Sequence, residues 1–443
     1  MFLVYSLLYA LGIILTAPYY LWRMRGRILS AADWRERLGF LPAQFEDVRL
    51  HGPGSVWIHA VSMGETLAVE GLVKALQAEY AERRIFLSCV TRTGREVGEA
   101  RMPGVAGHFY LPLDFRFSVR RTFAQVQPAL LIIVETELWP NLLRAARENG
   151  TRVVLVNARL STRSFRGYRL ARPFMRRILN CIDWIGAQTN EDAGRFIALG
   201  ASLDRVVVTG NLKFDGKPPQ AGRLSNRLRA GLEAARRAPV WIAASTMPGE
   251  ETMLLQAWDE IRKQNPASLF ILVPRHPNRF EEVAKLLAQS GRSFVRRTAL
   301  EPEEQNFTHQ LTAPEILLLD TVGELAGILD VADLVFVGGS LVPAGGHNLL
   351  EPAYWGKPIL FGPHMENFRD IAQLFLEQGA ASTVQNPADL AHRVHELLQD
   401  KRKRKEMGNR ARQLMEQGSG ATERTLERLR IMLGMSVPTH SPI

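Results

Sequence analysis

The chain has 443 residues, 46% of them hydrophobic and 23% charged. That composition buries cores rather than staying disordered, and at roughly 150 residues per domain it allows about two or three domains. Cys89 and Cys181 are the two cysteines, each in or beside an apolar run, which argues against a disulfide scaffold or cysteine metal site and for a reducing, cytoplasmic body. Fifty-five Lys and Arg against 45 Asp and Glu give a formal charge of +10; this suits an anionic partner without choosing among nucleic acid, phosphorylated substrate and acidic lipid.

Residues 1–22, MFLVYSLLYALGIILTAPYYLW, carry no charge, and as a helix they would span about 33 Å, enough for a hydrocarbon core. Arg23, Arg25 and Arg27 follow, so the positive-inside rule places the remainder in the cytoplasm. Tyr19, Tyr20 and Trp22 stand where an interfacial aromatic belt belongs. A cleaved signal peptide is disfavoured, because no basic segment precedes the run and no small-residue cleavage site follows it. The expectation is a transmembrane anchor over 1–22, with a buried or interfacial helix left open by Pro18.

Over 23–212, β-branched runs (VWIHAV, IFLSCVT, HFYLPLD, LLIIVET, RVVLVNA, WIGAQT, RVVVTGN) alternate with helical patterns. Continuous apolar strands between amphipathic helices predict a parallel sheet covered on both faces, a doubly wound Rossmann-like domain. Residues 213–239 read as a linker. The rhythm restarts over 240–432 with VWIAAST, LFILVPRHP, EILLLDT, LVFVGGS and KPILFGP, a second such domain, before a tail over 433–443. KRKRK at 401–405 reads as a solvated helix end. Ligands of such sheets bind beyond the strands' carboxyl ends, and two facing domains would form one cleft.

Glu65, in HAVSMGET, follows the first run and opens a helix. Its position alone favours capping; the functional alternative is a general base that takes the proton of a sugar hydroxyl. In VETELWPN, Glu135 and Glu137 end an apolar run, where buried carboxylates need partners; alternation puts both on one face if the strand continues through them. In TGNLKFD, Lys213 is either solvated or placed to neutralise a phosphate or carboxylate. PRHP offers Arg275, which can grip a phosphate, and His276, which is equally well a satisfied loop histidine. TVGEL places Val322, Gly323 and Glu324 before a helix, a weak anion signal. In VFVGGSLVPAGGHNLLEPAYWGKPILFGP, the pairs Gly338–Gly339 and Gly345–Gly346 admit close backbone approach. A helix beginning near Asn348 offers amides to a phosphate, and Glu351 is placed for a ribose hydroxyl.

At these residues the chain resembles the Kdo transferases, which add 3-deoxy-D-manno-octulosonic acid (Kdo) to the lipid A precursor. HAVSMGET, VETELWPN, NARLSTRSFRGY, TGNLKFD, PRHP and GGSLVPAGGHNLLEPAYWGKP stand in the family's order from Trp57 to Pro358. The resemblance implies an inverting, metal-independent glycosyltransferase of the two-domain glycosyltransferase B fold, with CMP-Kdo as donor, no cofactor, and a place at the inner membrane of a Gram-negative bacterium. It gives Glu65 the role of base and makes Glu135 and Lys213 supports of the transition state. CMP falls to Arg275 and His276, to Val322, Gly323 and Glu324, and to Asn348, Leu349, Leu350 and Glu351. The sequence holds no Asp-x-Asp pair, in agreement with metal independence.

A phosphorylated, acylated acceptor requires work at the bilayer surface. In RLSTRSFRGYRLARPFMRR, Arg163, Arg166 and Arg169 alternate with Phe165, Tyr168 and Phe174, a pattern suited either to lipid phosphates or to simple domain packing, with Pro173 interrupting the helix. A nucleotide-sugar epimerase and a membrane-tethered nucleotide-binding scaffold are the competing readings. Nucleic acid is disfavoured, because the positive charge is dispersed and no recognition motif stands out.

Overall fold

The computed structural model describes residues 2–23, 30–42, 45, 54–216, 219–300 and 304–434. These form two seven-stranded sheets in two units, Met1–Gly216 with Gly418–Ile443, and Lys217–Gln417.

In unit 1 the apolar runs become β1 (Ser55–His59), β2 (Ile85–Cys89), β3 (Gly107–Tyr110), β4 (Pro128–Val134), β5 (Arg152–Ala158), β6 (Trp184–Ala187) and β7 (Val206–Val208). They pair in parallel in the order β3-β2-β1-β4-β5-β6-β7. Side chains alternate between two buried faces. Trp57, Leu131, Ile133, Val153 and Leu155 enter one core, while Val56, Ile58, Leu130, Ile132 and Val154 enter the other. Burial on both sides is why these strands read as unbroken apolar runs rather than as an alternating pattern.

Unit 2 repeats the plan with β8 (Val240–Thr246), β9 (Leu269–Pro274), β10 (Phe294–Arg296), β11 (Ile316–Leu318), β12 (Leu334–Val337), β13 (Ile359–Phe361) and β14 (Ala381–Thr383). The order is β10-β11-β9-β8-β12-β13-β14. Trp241 stacks on Phe270 at 4.3 Å beneath Trp258 at the centre of its core. The sequence pattern does not reveal β10 and β14. Each is three residues long and occupies a sheet edge, where one-sided pairing leaves little apolar signature.

One expectation is corrected and another is not met among the described residues. The second domain, expected over 240–432, ends earlier, because the chain returns to unit 1 at Gly418. The helix Ala421–Met432 sends Ala421, Leu426 and Leu429 into the core that holds Val56 and Ile58. The spanning anchor expected over 1–22 is not found. Phe2–Arg23 is helical, but no helix among the described residues is long and apolar enough to cross a membrane. Two of its tyrosines and Ser6 pack on the protein. Tyr9 lies 5.2 Å from Phe115, Tyr5 lies 6.2 Å from Phe174, and Ser6 accepts a hydrogen bond from Asn141. Leu3, Leu7, Leu8, Leu11, Ile14 and Leu15 face outward, each more than half exposed. The side chains of Tyr19, Tyr20 and Trp22, together with Arg25 and Arg27, lie outside the described residues.

Leu429→Ala removes a fully buried side chain from unit 1 and is expected to destabilise that unit by about 3 kcal/mol. Urea unfolding should show an earlier transition for unit 1 and an unmoved one for unit 2.

Candidate functional site

The strand order of unit 1 reverses between β1 and β4, and the residues just beyond those two strands form that unit's candidate site. After β1 the chain turns at Ser62 and enters the short helix Met63–Ala68. Ser62 caps it by accepting from the Glu65 amide at 3.4 Å. The Glu65 carboxylate reaches back, accepting from the Val61 amide at 2.8 Å and from the Ser62 hydroxyl at 3.0 Å. The capping role suggested by position is therefore present. The side chain is also 9% exposed, and burial, followed by repulsion from the Glu135 carboxylate, pushes its pKa up to about 7. Such a carboxyl changes protonation near neutrality, the property a general base needs.

Beyond β4, Glu135 adopts φ of 59°, a conformation that a bulky residue holds only where its surroundings dictate it. The strand ends at Val134, so Glu135 and Glu137 do not share a face as alternation would have it. Glu135 pairs with Lys213 at 3.2 Å and with Arg159 at 2.9 Å, whereas Glu137 accepts from the Trp139 indole at 3.0 Å. Burial holds the Glu137 carboxyl above its ordinary pKa. Lys213 is brought there by a chain of polar contacts. Fully buried Asn157, itself at φ 54°, accepts from the Leu212 amide, and Asn211 accepts from the Lys213 amide, both at 3.0 Å. The candidates considered above omit Arg159 and Asn157, although both stand in NARLSTRSFRGY. Partners for the buried carboxylate and a polar residue inside an apolar run were the signals available.

The basic stretch that follows folds as two helices, Thr162–Leu170 and Arg172–Leu179, with Pro173 in the first turn of the second. Arg163, Arg166 and Arg169 are exposed. Phe165, Tyr168 and Phe174 pack against the core of unit 1, so domain packing accounts for the aromatic residues and leaves the arginines to solvent.

In unit 2 the order reverses between β8 and β12. A fully buried carboxylate, Glu250, ties the two strand ends together by accepting from the amides of Met247 (2.9 Å), Gly339 (2.6 Å), Ser340 (2.9 Å) and Leu341 (2.9 Å). Beside it, Glu251 accepts from Thr246 at 2.7 Å and from Arg279 at 2.7 and 3.1 Å. Neither glutamate stands out in the sequence, because acids in the first turn of a helix are ordinary caps. Gly338 is explained by a close approach within the protein, since a Cβ there would lie 2.6 Å from the Ser245 carbonyl oxygen.

Arg275 and His276 are exposed just beyond β9, and the positive charge there acts on His347. Burial first, then Arg275 and His276, lowers the His347 pKa to about 4, so its ring is neutral at physiological pH. Its buried Nε2 has no partner among the described residues. Arg275, His276 and His347 thus converge on the end of β12, where Gly339 lies against the His347 ring.

The remaining candidates divide. Val322 is 75% exposed. Gly323 has φ of 86°, and Glu324 is engaged by Arg297 at 2.9 Å. The helix expected near Asn348 begins at Leu350 and runs five residues, with Asn348 accepting from the Leu350 amide at 3.1 Å and donating to Glu351 at 3.3 Å. Leu349 and Leu350 are 0% and 5% exposed; their side chains anchor the turn, which leaves only their backbone for a ligand. Among the described residues, no group of three or more His, Cys, Asp or Glu is placed to hold a metal ion.

Comparison with known proteins adds to this geometry. The profile described as "3-Deoxy-D-manno-octulosonic-acid transferase (kdotransferase)" matches residues 32–216. A 3-deoxy-D-manno-octulosonic acid transferase of Haemophilus influenzae is 35% identical over 411 residues, 92% of this chain and 94% of that one. Its counterpart in Bordetella pertussis is 35% identical over 427 residues, 94% and 96% of the two chains. Among solved structures, a UDP-GlcNAc 2-epimerase from Neisseria meningitidis superposes with a TM-score of 0.51 at 13% identity, covering 85% of this chain and 99% of the other. That likeness concerns the fold alone.

Glu250→Gln replaces one of the two accepting oxygens with an amide and leaves buried N–H groups unpaired, an expected loss of about 2 kcal/mol. Hydrogen exchange at Gly339, Ser340 and Leu341 should accelerate while the core strands stay protected.

Proposed function

Because the chain belongs to the 3-deoxy-D-manno-octulosonic acid (Kdo) transferase family, we propose that it moves Kdo from CMP-Kdo to a hydroxyl of the lipid A precursor and inverts the anomeric centre. The observation that carries the mechanism is Glu65, a buried carboxyl at the reversal point of its sheet with a pKa near 7. Its carboxylate takes the proton of the acceptor hydroxyl as the oxygen bonds to the anomeric carbon. On the opposite face the bond from that carbon to the phosphate oxygen breaks, and CMP leaves with the electron pair. A single displacement of this kind inverts the centre.

Glu135 supports the positive charge developing on the transferred sugar, and Lys213 and Arg159, which pair with it, meet the sugar's own carboxylate. In unit 2, Arg275 supplies the cation for the departing phosphate. Neutral His347 is suited to donate a hydrogen bond without adding charge, a contribution of about 3 kcal/mol for one well-placed donor, and His276 serves the same phosphate. Gly323 and the Asn348–Glu351 turn serve the nucleotide, with Asn348 and Glu351 as its polar groups. Cationic and backbone donors suffice for the leaving group, so the reaction needs no metal or cofactor.

The acylated acceptor places the work at the cytoplasmic face of the inner membrane of a Gram-negative bacterium. The outward leucine face of Phe2–Arg23 supports bilayer contact, as do exposed Arg163, Arg166 and Arg169.

Glu65→Gln is expected to lower kcat about 10²- to 10⁴-fold while CMP-Kdo binding persists; retained turnover overturns the assignment of the base. Glu65 must be deprotonated to act, so the wild-type rate should fall as pH drops through about 7, and that limb should vanish in the variant. Mass spectrometry of lipid A precursor incubated with CMP-Kdo and enzyme should show added Kdo and count the units. EDTA should leave the rate unchanged.

A further inference from the structure

Three carboxylates stand beyond β1 and β4, and the transfer reaction gives tasks to two of them, Glu65 and Glu135. Glu137 is the third. Burial, then the charges of Glu135 and Glu137, raise the Glu65 pKa, so Glu137 lies close to the base. It is held differently from its neighbour. Glu135 is pinned by two cations, whereas Glu137 accepts from the Trp139 indole at 3.0 Å, and its place follows from where that ring lies.

Trp139 is half-buried in the loop between β4 and the helix Pro140–Glu148. It packs on the core of unit 1 and meets the Tyr9 ring edge-to-face, with centroids 6.3 Å apart, an arrangement that aromatic rings favour.

Tyr9 is itself well fixed. Its ring also lies 5.2 Å from Phe115 and 5.8 Å from Tyr5, and its hydroxyl accepts from the Asp114 amide at 3.5 Å. Asp114 in turn caps the helix after Trp139, its carboxylate accepting from the amides of Asn141 at 2.9 Å and Leu142 at 2.8 Å. The Asn141 side chain donates to Ser6 at 3.0 Å. The inner face of the N-terminal helix therefore grips the start of Pro140–Glu148, which is also the end of the loop that carries Glu137. A grip at that distance matters to the chemistry, because a small displacement of a group beside the reacting atoms lowers the rate steeply.

We propose that Tyr9 is a positioning residue of the transfer site: through Trp139 it fixes Glu137 beside Glu65, so the carboxylate set is complete only with the N-terminal helix seated on unit 1. The helix thus joins bilayer contact on its leucine face to the geometry of the site on its tyrosine face. This rests on the transfer reaction proposed above.

The test uses the full chain with CMP-Kdo and detergent-solubilised lipid A precursor, which removes bilayer contact from the comparison. Tyr9→Ala should lower kcat about 10- to 100-fold with KM little changed, and Tyr9→Phe, which keeps the ring, should match the wild type. Trp139→Phe keeps a ring against Tyr9 but loses the N–H donor, and it should show the same loss. In a Glu137→Gln background, itself slowed, neither Tyr9→Ala nor Trp139→Phe should cost more than about twofold further, because residues that act through one group are not additive. A merely structural role gives additive losses instead. Fluorine NMR of the chain labelled with 5-fluorotryptophan at its eight tryptophans reads the contact without substrate. The Trp139 signal, identified by its absence from Trp139→Phe, should move in Tyr9→Ala and stay in Tyr9→Phe, while the signals of Trp241 and Trp258 in unit 2 stay throughout. An unchanged urea transition for unit 1 certifies the fold of each variant. Wild-type kcat in Tyr9→Ala or Trp139→Phe, additive losses with Glu137→Gln, or an unmoved Trp139 signal each overturns the proposal. Should the wild-type chain transfer no Kdo, the enzymatic reading falls by itself, and the fluorine spectra still judge whether Tyr9 holds Trp139.

Discussion

The reversal of strand order in each parallel sheet is the constraint on which the site depends. Between β1 and β4, and again between β8 and β12, the connections leave in opposite directions, and the strand ends are left open at their carboxyl side. Backbone amides and short polar side chains fill that gap because no crossing helix can. Glu65 and Glu250 occupy corresponding places, each early in the helix after the first strand of its pair. They differ in what they hold. Glu250 is saturated by four amides and fixes a loop. Glu65 accepts from one amide and one hydroxyl and faces another carboxylate. One position in the fold thus gives a structural anchor in one unit and a titrating group in the other.

This contrast bears on both readings of Glu65. Capping and proton transfer are compatible, because the capping contacts fix where the carboxyl sits while burial and Glu135 decide when it ionises. A surface cap would make the same hydrogen bonds and stay ionised at neutral pH. Environment, which sequence position does not report, separates the two cases.

Much of the architecture was legible for a simple reason. Strands buried on both faces must be apolar throughout, and twelve of the fourteen announced themselves as such runs. The two that did not, β10 and β14, are short edges. The ordered motifs named Glu65, Glu135 and Lys213, but the partners of these carboxylates lay in segments valued for other reasons. Arg159 is one residue beyond β5, and Asn157 is a buried polar residue inside it. At the membrane end the spanning anchor is not found among the described residues, and counting uncharged residues does not register that Tyr5, Ser6 and Tyr9 pack on the protein. The domain limit was misread because the return of a helix to an earlier core is a tertiary event with no local signature.

That return bears on biogenesis. The core of unit 1 is closed by Ala421, Leu426 and Leu429, which leave the ribosome after all of unit 2. At about 5 to 20 residues per second, the roughly two hundred intervening residues take about 10 to 40 s to make. Through that interval one face of the first sheet lacks part of its cover, while the second unit has its whole sequence available and can mature first. The order of completion is therefore the reverse of the order of synthesis, and a nascent chain of this kind has the greatest need of chaperone protection at its amino-terminal half.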